Sequence, residues 1–262
     1  MDSPARPPYY ARDNQGGSKA RDGVSATPGF RPLYRQVYEY LVRQVSEGAW
    51  RPGEALPSEQ ALARELGVSQ GTVRKALDAL AVEGIMERRQ GKGTFIAANT
   101  QERSLFKFFR LSRPGGERVT PQRGEEQVRR RAANQGDIAR LGLSKGDKVV
   151  EIRRIRLVDG EPALFEMIVV QAAVFPDIEN RAPLPNALYS LYQSDYGINI
   201  TTAHEELKAD LARKDDAAYL KLSLGAPVLQ IDRLAVALDG RVVEWRVSRC
   251  DTRNFVYAVT LG

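Results

Sequence analysis

The sequence predicts an α+β chain of two units. A small helical unit is closed by a short hairpin, and a larger, mainly antiparallel β-sheet unit with helices follows. Three observations predict this. Residues 33–84 carry apolar residues at helical spacing, with serine and glycine where helices begin and end. A glycine-tipped strand pair follows at 86–96. Beyond Val119 the period becomes that of strands, and Asp159-Gly160 and Asp239-Gly240 each sit between β-rich runs.

The 262 residues, 42% of them hydrophobic, suffice for two cores. No apolar run approaches the roughly 20 residues of a membrane span, and no signal-peptide pattern opens the chain. A single cysteine, Cys250, excludes an intrachain disulfide and fits a reducing cytoplasm, the expected location. With a single histidine, His204, no metal site is expected, and no cofactor. The net charge is +6, and its placement is uneven. Residues 98–135 hold nine Lys or Arg against four Asp or Glu, whereas 136–262 hold 16 against 18. The positive charge therefore lies in and just after the helical unit, which favours a polyanionic partner.

Residues 1–29, rich in Pro, Gly, Ser and Arg, are expected to be a disordered tail. Leu33, Val37, Tyr40, Leu41 and Val45 mark a first helix, ended by Gly48 and Pro52-Gly53. Ser58 caps a second through Leu66, and Gly67 supplies a left-handed exit. Ser69 caps a third, whose Val73, Ala76, Leu77 and Leu80 form an inward stripe. Its other side shows Gln70, Gly71, Arg74 and Lys75, short polar and cationic groups suited to base edges and phosphates. Gly84 stops it. Strands at Met86–Arg89 and Thr94–Ile96 flank Gln90-Gly91-Lys92-Gly93, whose glycines permit close backbone approach and whose Lys92 is the charge at the tip. Residues 30–97 thus describe a winged helix-turn-helix.

The motif Pro57-Ser58-Glu59, Leu66-Gly67-Val68-Ser69, Thr72-Val73-Arg74, Glu83-Gly84 and Gly91-Lys92-Gly93-Thr94-Phe95 resembles the DNA-binding domain of the GntR family of bacterial transcription regulators. The resemblance covers Pro32 to Ile96. It implies DNA contacts from Ser58, Gln60, Ser69, Gln70, Gly71 and Thr72, from Arg74 and Lys75, and from Gly91, Lys92, Gly93 and Thr94 in the wing. Two positions depart from the family: Gln60 and Gln70 stand where arginine is usual. Glutamine pairs with adenine where arginine favours guanine, so a divergent operator is expected; solvent-facing glutamine is the other reading.

Residues 98–118 look like a basic, partly extended linker, with Phe106, Phe108 and Phe109 able to dock it. In the second unit, 119–262, hairpins are expected at Val149–Val158 with Ala163–Val170 and at Val228–Leu238 with Val242–Arg249. A helix is expected at Asn186–Tyr196, a strand at Ile198–Leu211 and a last strand at Phe255–Leu261. The two hairpins look like copies 79 residues apart: Asp137 to Leu141 matches Asp216 to Leu220, and Leu143 to Gly146 matches Leu222 to Gly225. An internal duplication with a pocket between the halves is the hypothesis.

Arg154-Ile155-Arg156, Asp159-Gly160-Glu161-Pro162, Glu166 and Asp239-Gly240 with Glu244 resemble the UTRA effector-binding domain of the HutC branch of that family. That implies a six-stranded antiparallel sheet similar to chorismate lyase and a small-molecule ligand. Arg154 and Arg156 share one strand face, a clamp for carboxylate or phosphate or else partners of Glu166. Glu206 and Glu244, with Glu205, are candidates for ligand hydroxyls or amines. Family members that hold a phosphate place Ser or Thr after the glutamate matching Glu166; here Met167 follows, which argues against a standard phosphosugar.

The expected function is a ligand-responsive, homodimeric regulator, a repressor released from a pseudo-palindromic duplex by a small acidic metabolite. An enzyme on a lyase-like fold and a DNA binder without effector are the competing readings. No catalytic constellation supports the enzyme.

Overall fold

Serine caps and a leucine stripe build the first unit. The computed structural model describes residues 31–260, and the tail expected at 1–29 lies outside them. Helix α1 (Leu33–Ser46) buries Val37, Leu41 and Val45. Leu33, expected in the same stripe, is exposed because it opens the helix ahead of the packed turns. Helix α2 (Glu59–Leu66) begins where the Ser58 hydroxyl accepts from Ala61 N at 3.2 Å and ends on Gly67 at φ 63°. Helix α3 (Gln70–Val82) begins where Ser69 accepts from Thr72 N at 3.2 Å, and buries Val73, Ala76, Leu77 and Leu80. Strand β1 (Met86–Arg89) pairs antiparallel with β2 (Gly93–Ile96), and buried Met86 and Ile96 seat this wing on the helical core.

The connector, expected without regular structure, contains helix α4 (Gln101–Phe108). Thr100 caps it by accepting from Arg103 N at 3.2 Å, and it buries Ser104 and Phe108. Two buried positions in two turns make too short a stripe to declare a helix; its dock supplies the rest. Phe108 meets Tyr189 edge-on at 4.8 Å, while Phe106 stays exposed. A two-residue strand follows, β3 (Leu111–Ser112).

The second unit runs β4 (Gln122–Ala132), α5 (Gln135–Leu141), β5 (Lys148–Val158), β6 (Glu161–Gln171), α6 (Leu188–Tyr196), β7 (Ile200–Leu211), α7 (Lys214–Leu220), β8 (Pro227–Ala237), β9 (Val242–Asp251) and β10 (Val256–Tyr257). Six strands form one antiparallel sheet in the order β4-β5-β6-β9-β8-β7. Strand β10 does not join it but pairs with β3, which ties the chain's last described turn to the connector. The halves β4-α5-β5-β6 and β7-α7-β8-β9 share one topology and meet at β6 and β9, with Met167 opposite Val247. Each half starts its short helix the same way: Asp137 accepts from Asn134 N at 2.8 Å, and Asp216 from Arg213 N at 2.8 Å. This is the arrangement the duplication requires.

Alternation gives the sheet two dry faces. Ile152, Ile168 and Val243 pack with Phe175 and with Tyr192 of α6, and Val149, Val169, Leu234 and Trp245 pack with Leu141 on the other side. In the first unit, Leu77 is 1% exposed at the centre of the three-helix core. Leu77→Ala is expected to destabilise that unit by about 2–5 kcal/mol, through lost burial and the cavity left behind. Urea unfolding followed by circular dichroism measures it.

Candidate DNA-facing surface and effector cavity

Helix α3 projects its polar side from the first unit, and Glu59 of α2 orients it. The Glu59 carboxylate accepts from Arg74 Nε at 3.0 Å and Nη2 at 2.9 Å, from Gln70 Nε2 at 3.1 Å and from Arg88 Nη1 at 3.0 Å. The Arg74 hydrogen bonds, above all, hold its carboxyl down to about 2. Arg88 also reaches Asp78 at 2.7 Å. Arg74 remains more than half exposed, so its guanidinium is aimed but not enclosed. The Lys75 ammonium lies 4.2 Å from the Tyr34 ring centroid. Ser58, Gln60, Ser69, Gln70, Gly71, Arg74 and Lys75 are exposed, as are Gly91, Lys92 and Gly93, and Thr72 is half-buried. Thr94 departs from expectation: it is buried, and its carbonyl accepts from Leu56 N at 2.8 Å. It fastens the wing to the core and is withdrawn from the surface of the other eleven.

The second site is a cavity on the α6 face of the sheet, across the junction of the halves. Arg154 and Arg156 enter from β5, Glu166 from β6, Arg233 from β8, and Arg246 and Ser248 from β9. Phe108 and Tyr189 help to close it. Glu166 accepts from Arg154 Nε at 2.9 Å, from Arg246 Nη1 at 3.1 Å and from Ser248 at 3.3 Å. Burial alone would raise its carboxyl, but Arg246 and Arg154 hold it well below the usual carboxylate range. Arg246 is also gripped by Glu244, at 3.0 and 3.1 Å. Arg233 pairs with Glu205 at 2.6 Å and donates to Phe108 O.

Arg156 is the surplus cation. Its nearest carboxylate oxygen, on Glu166, is 4.0 Å away and already engaged by Arg154. Nη1 donates to Asn186 O at 2.7 Å, and Nε has no partner. Burial, then the neighbouring Arg154 charge, pushes this guanidinium down to about 9. A buried cation with an unused donor suits an anion.

Residues 33–96 match the bacterial regulatory proteins of the gntR family, and residues 126–255 match the UTRA domain. The HTH-type transcriptional regulator SmoD of Agrobacterium fabrum is 32% identical over 83% of this chain and 91% of its own length. The chain belongs to the GntR family. The histidine utilization repressor of Pseudomonas putida is 28% identical over 78% of this chain and 82% of its own. Among solved structures, the ligand-binding domain of a GntR-family regulator from Bordetella bronchiseptica superposes with a TM-score of 0.54. It is 27% identical and covers 59% of this chain and 98% of its own. This GntR protein is therefore a DNA-binding transcriptional regulator with an effector domain, of HutC type, and not an enzyme. Among the described residues no helix is long and apolar enough to cross a membrane.

Within this GntR chain the cavity collects Arg154, Arg156 and Glu166 as expected, but not Glu206 or Glu244. Glu206 is exposed on β7, and its neighbour Glu205 points inward to Arg233 instead. Side chains alternate along a strand, so only one of the two can face in. Glu244 is fully buried behind the cavity, where it accepts from Tyr189 at 3.1 Å and Tyr192 at 2.7 Å. The argument from Met167 also fails. Met167 packs on the opposite face of the sheet, and the hydroxyl beside Glu166 comes from Ser248 on the adjacent strand. Arg233, Arg246, Ser248 and Glu59 are site residues that sequence reasoning did not single out. Glu59 alone had a local signal, its place in the Pro-Ser-Glu motif.

Arg74→Ala should weaken specific operator binding by about 1–3 kcal/mol if the guanidinium makes a bidentate base contact. Fluorescence anisotropy against specific and random duplexes measures it. Circular dichroism should be unchanged, since the side chain supports no core.

Proposed function

We propose that this regulator is a homodimeric repressor that leaves its operator when a small acidic metabolite enters the cavity around Arg156. The surplus, underused charge of Arg156 carries the reading. Three neighbouring arginines each have a carboxylate at hydrogen-bonding distance; this one does not. The name of the Pseudomonas relative supports repression as the sense of regulation. A homodimer would set two α3 helices about one DNA turn apart, ~34 Å, on a pseudo-palindrome. The free edge strand β7, with exposed Leu207 and Leu211, is consistent with self-association. The DNA contacts are Ser58, Gln60, Ser69, Gln70, Gly71, Thr72, Arg74 and Lys75 with Gly91, Lys92 and Gly93 of the wing. Gln60 and Gln70 favour a half-site richer in adenine than the family's usual one. The protein works in the cytoplasm, where its duplex and metabolite meet.

Coupling runs through the connector. Gln193 of α6 donates to Ala97 O at 2.9 Å and accepts from Asn99 N at 2.6 Å, so its amide latches the exit of the winged unit. The same helix carries Tyr189 at the cavity. An anion that moves α6 thereby loosens the latch and frees the heads.

The test is operator release, on a duplex selected from a random pool, against a panel of organic acids and phosphates. Arg156→Gln should retain operator affinity but lose about 10- to 100-fold in effector affinity, the size of a charge-assisted hydrogen bond. The guanidinium carries its proton below about 9 and loses it above. Effector affinity is therefore flat through neutral pH and falls as pH rises past that value, and the fall disappears in Arg156→Gln. Titration calorimetry across pH 7–10 checks both, where about 9 is the guanidinium midpoint. Gln193→Ala should bring operator affinity without effector towards that with effector, shrinking a coupling of about 1–3 kcal/mol. Anisotropy with and without saturating effector measures it.

A further inference from the structure

Two further polar atoms lining the same cavity lack partners: Ser104 Oγ and Asn186 Oδ1. Ser104, on the connector helix α4, is 5% exposed and Arg156 is 2% exposed. Asn186 is next to Arg156, since its carbonyl receives Nη1. Its amide orientation is fixed, because Nδ2 donates to Pro121 O at 2.7 Å and a flipped amide would set two oxygens together. The free Oδ1 can only accept.

These atoms constrain a ligand beyond its charge. An anionic oxygen satisfies Arg156 Nε and can accept from Ser104. The same oxygen would be repelled by Asn186 Oδ1, which needs a donor. An ammonium could donate, but would sit beside Arg156 in a cavity also lined by Arg154, Arg233 and Arg246. A neutral hydroxyl donates without that repulsion. On the reading that this cavity is the effector site, we propose that the effector is a hydroxylated anion. Its carboxylate or phosphate lies on Arg156 and Ser104, and a hydroxyl one or two carbons away donates to Asn186 Oδ1. Ser104 makes the connector part of the ligand shell, so an occupied cavity acts directly on the segment that leads to the winged unit.

Matched probes test this on the full-length protein by titration calorimetry: glycerate against propionate, and glycerol 3-phosphate against propyl phosphate. The hydroxylated member of at least one pair should bind about tenfold tighter or more, the effect of one buried acceptor left unpaired. The pair that binds tells a carboxylate site from a phosphate site. Equal binding within the pairs overturns the hydroxyl and leaves the anion reading standing. If none of the four binds, both fall. Asn186→Leu should bring the members of a pair to within about twofold of each other. Preference retained in that variant overturns the assignment. Ser104→Ala should weaken both members and also reduce the shift in operator affinity at saturating probe; an unchanged shift removes α4 from the ligand shell. The wild-type comparison decides the hydroxyl even where a variant folds poorly.

Discussion

A carboxylate shut away from water among three guanidiniums is the interaction on which the effector domain depends. Glu166 stands on β6, takes hydrogen bonds from Arg154 of β5 and Arg246 of β9, and lies within 4.0 Å of Arg156. It joins the two halves at their junction. Removing one partner from such a buried pair costs about 3–5 kcal/mol, because the other charge is left uncompensated. The arrangement therefore resists change within the sheet. What can change is what lies above it: α4, α6 and the space between.

That distinction gives the connector its meaning. Phe108 and Ser104 of α4 cover the cavity, Arg233 donates to Phe108 O, and β3 is held by β10. The segment between the winged unit and the sheet is thus the cavity's own roof. Gln193 adds a second tie, from the far turn of α6 to Ala97 and Asn99. A ligand that fits the rigid floor but not the roof must displace α4 or α6, and either motion reaches residues 97–100. Coupling then needs differential affinity for two roof positions, with no deformation of the sheet.

Local signals made much of this legible. Ser58, Ser69, Gly67 and the two Asp-Gly turns act within four residues of themselves, so their helices and hairpins are found where expected. The repeat of 79 residues was visible for the same reason and carried the topology with it. The cavity was only half legible. Arg154, Arg156 and Glu166 stand on consecutive strands, whereas Arg233, Arg246 and Ser248 join them only through the strand order β5-β6-β9-β8. The sequence offers both Glu205 and Glu206, and which of the two faces in is decided by the pairing of β7 with β8, which sets Glu205 opposite Arg233. Helix α4 was missed because its dock lies some 80 residues away in the chain, on Tyr189.

The two functional surfaces use one device at two depths. In each, a carboxylate aims arginines: Glu59 aims Arg74 and Arg88, and Glu166 aims Arg154 and Arg246. Near the surface of the winged unit, water screens the pair, so Arg74 can exchange Glu59 for a phosphate or a base at little cost. In the cavity there is no screening, and charge must balance locally. Arg156 is what remains after that balance, still charged at neutral pH although burial has weakened its hold on the proton. An arriving anion completes the pairing. The exposed network is thus built to exchange partners, and the buried one to await a missing one.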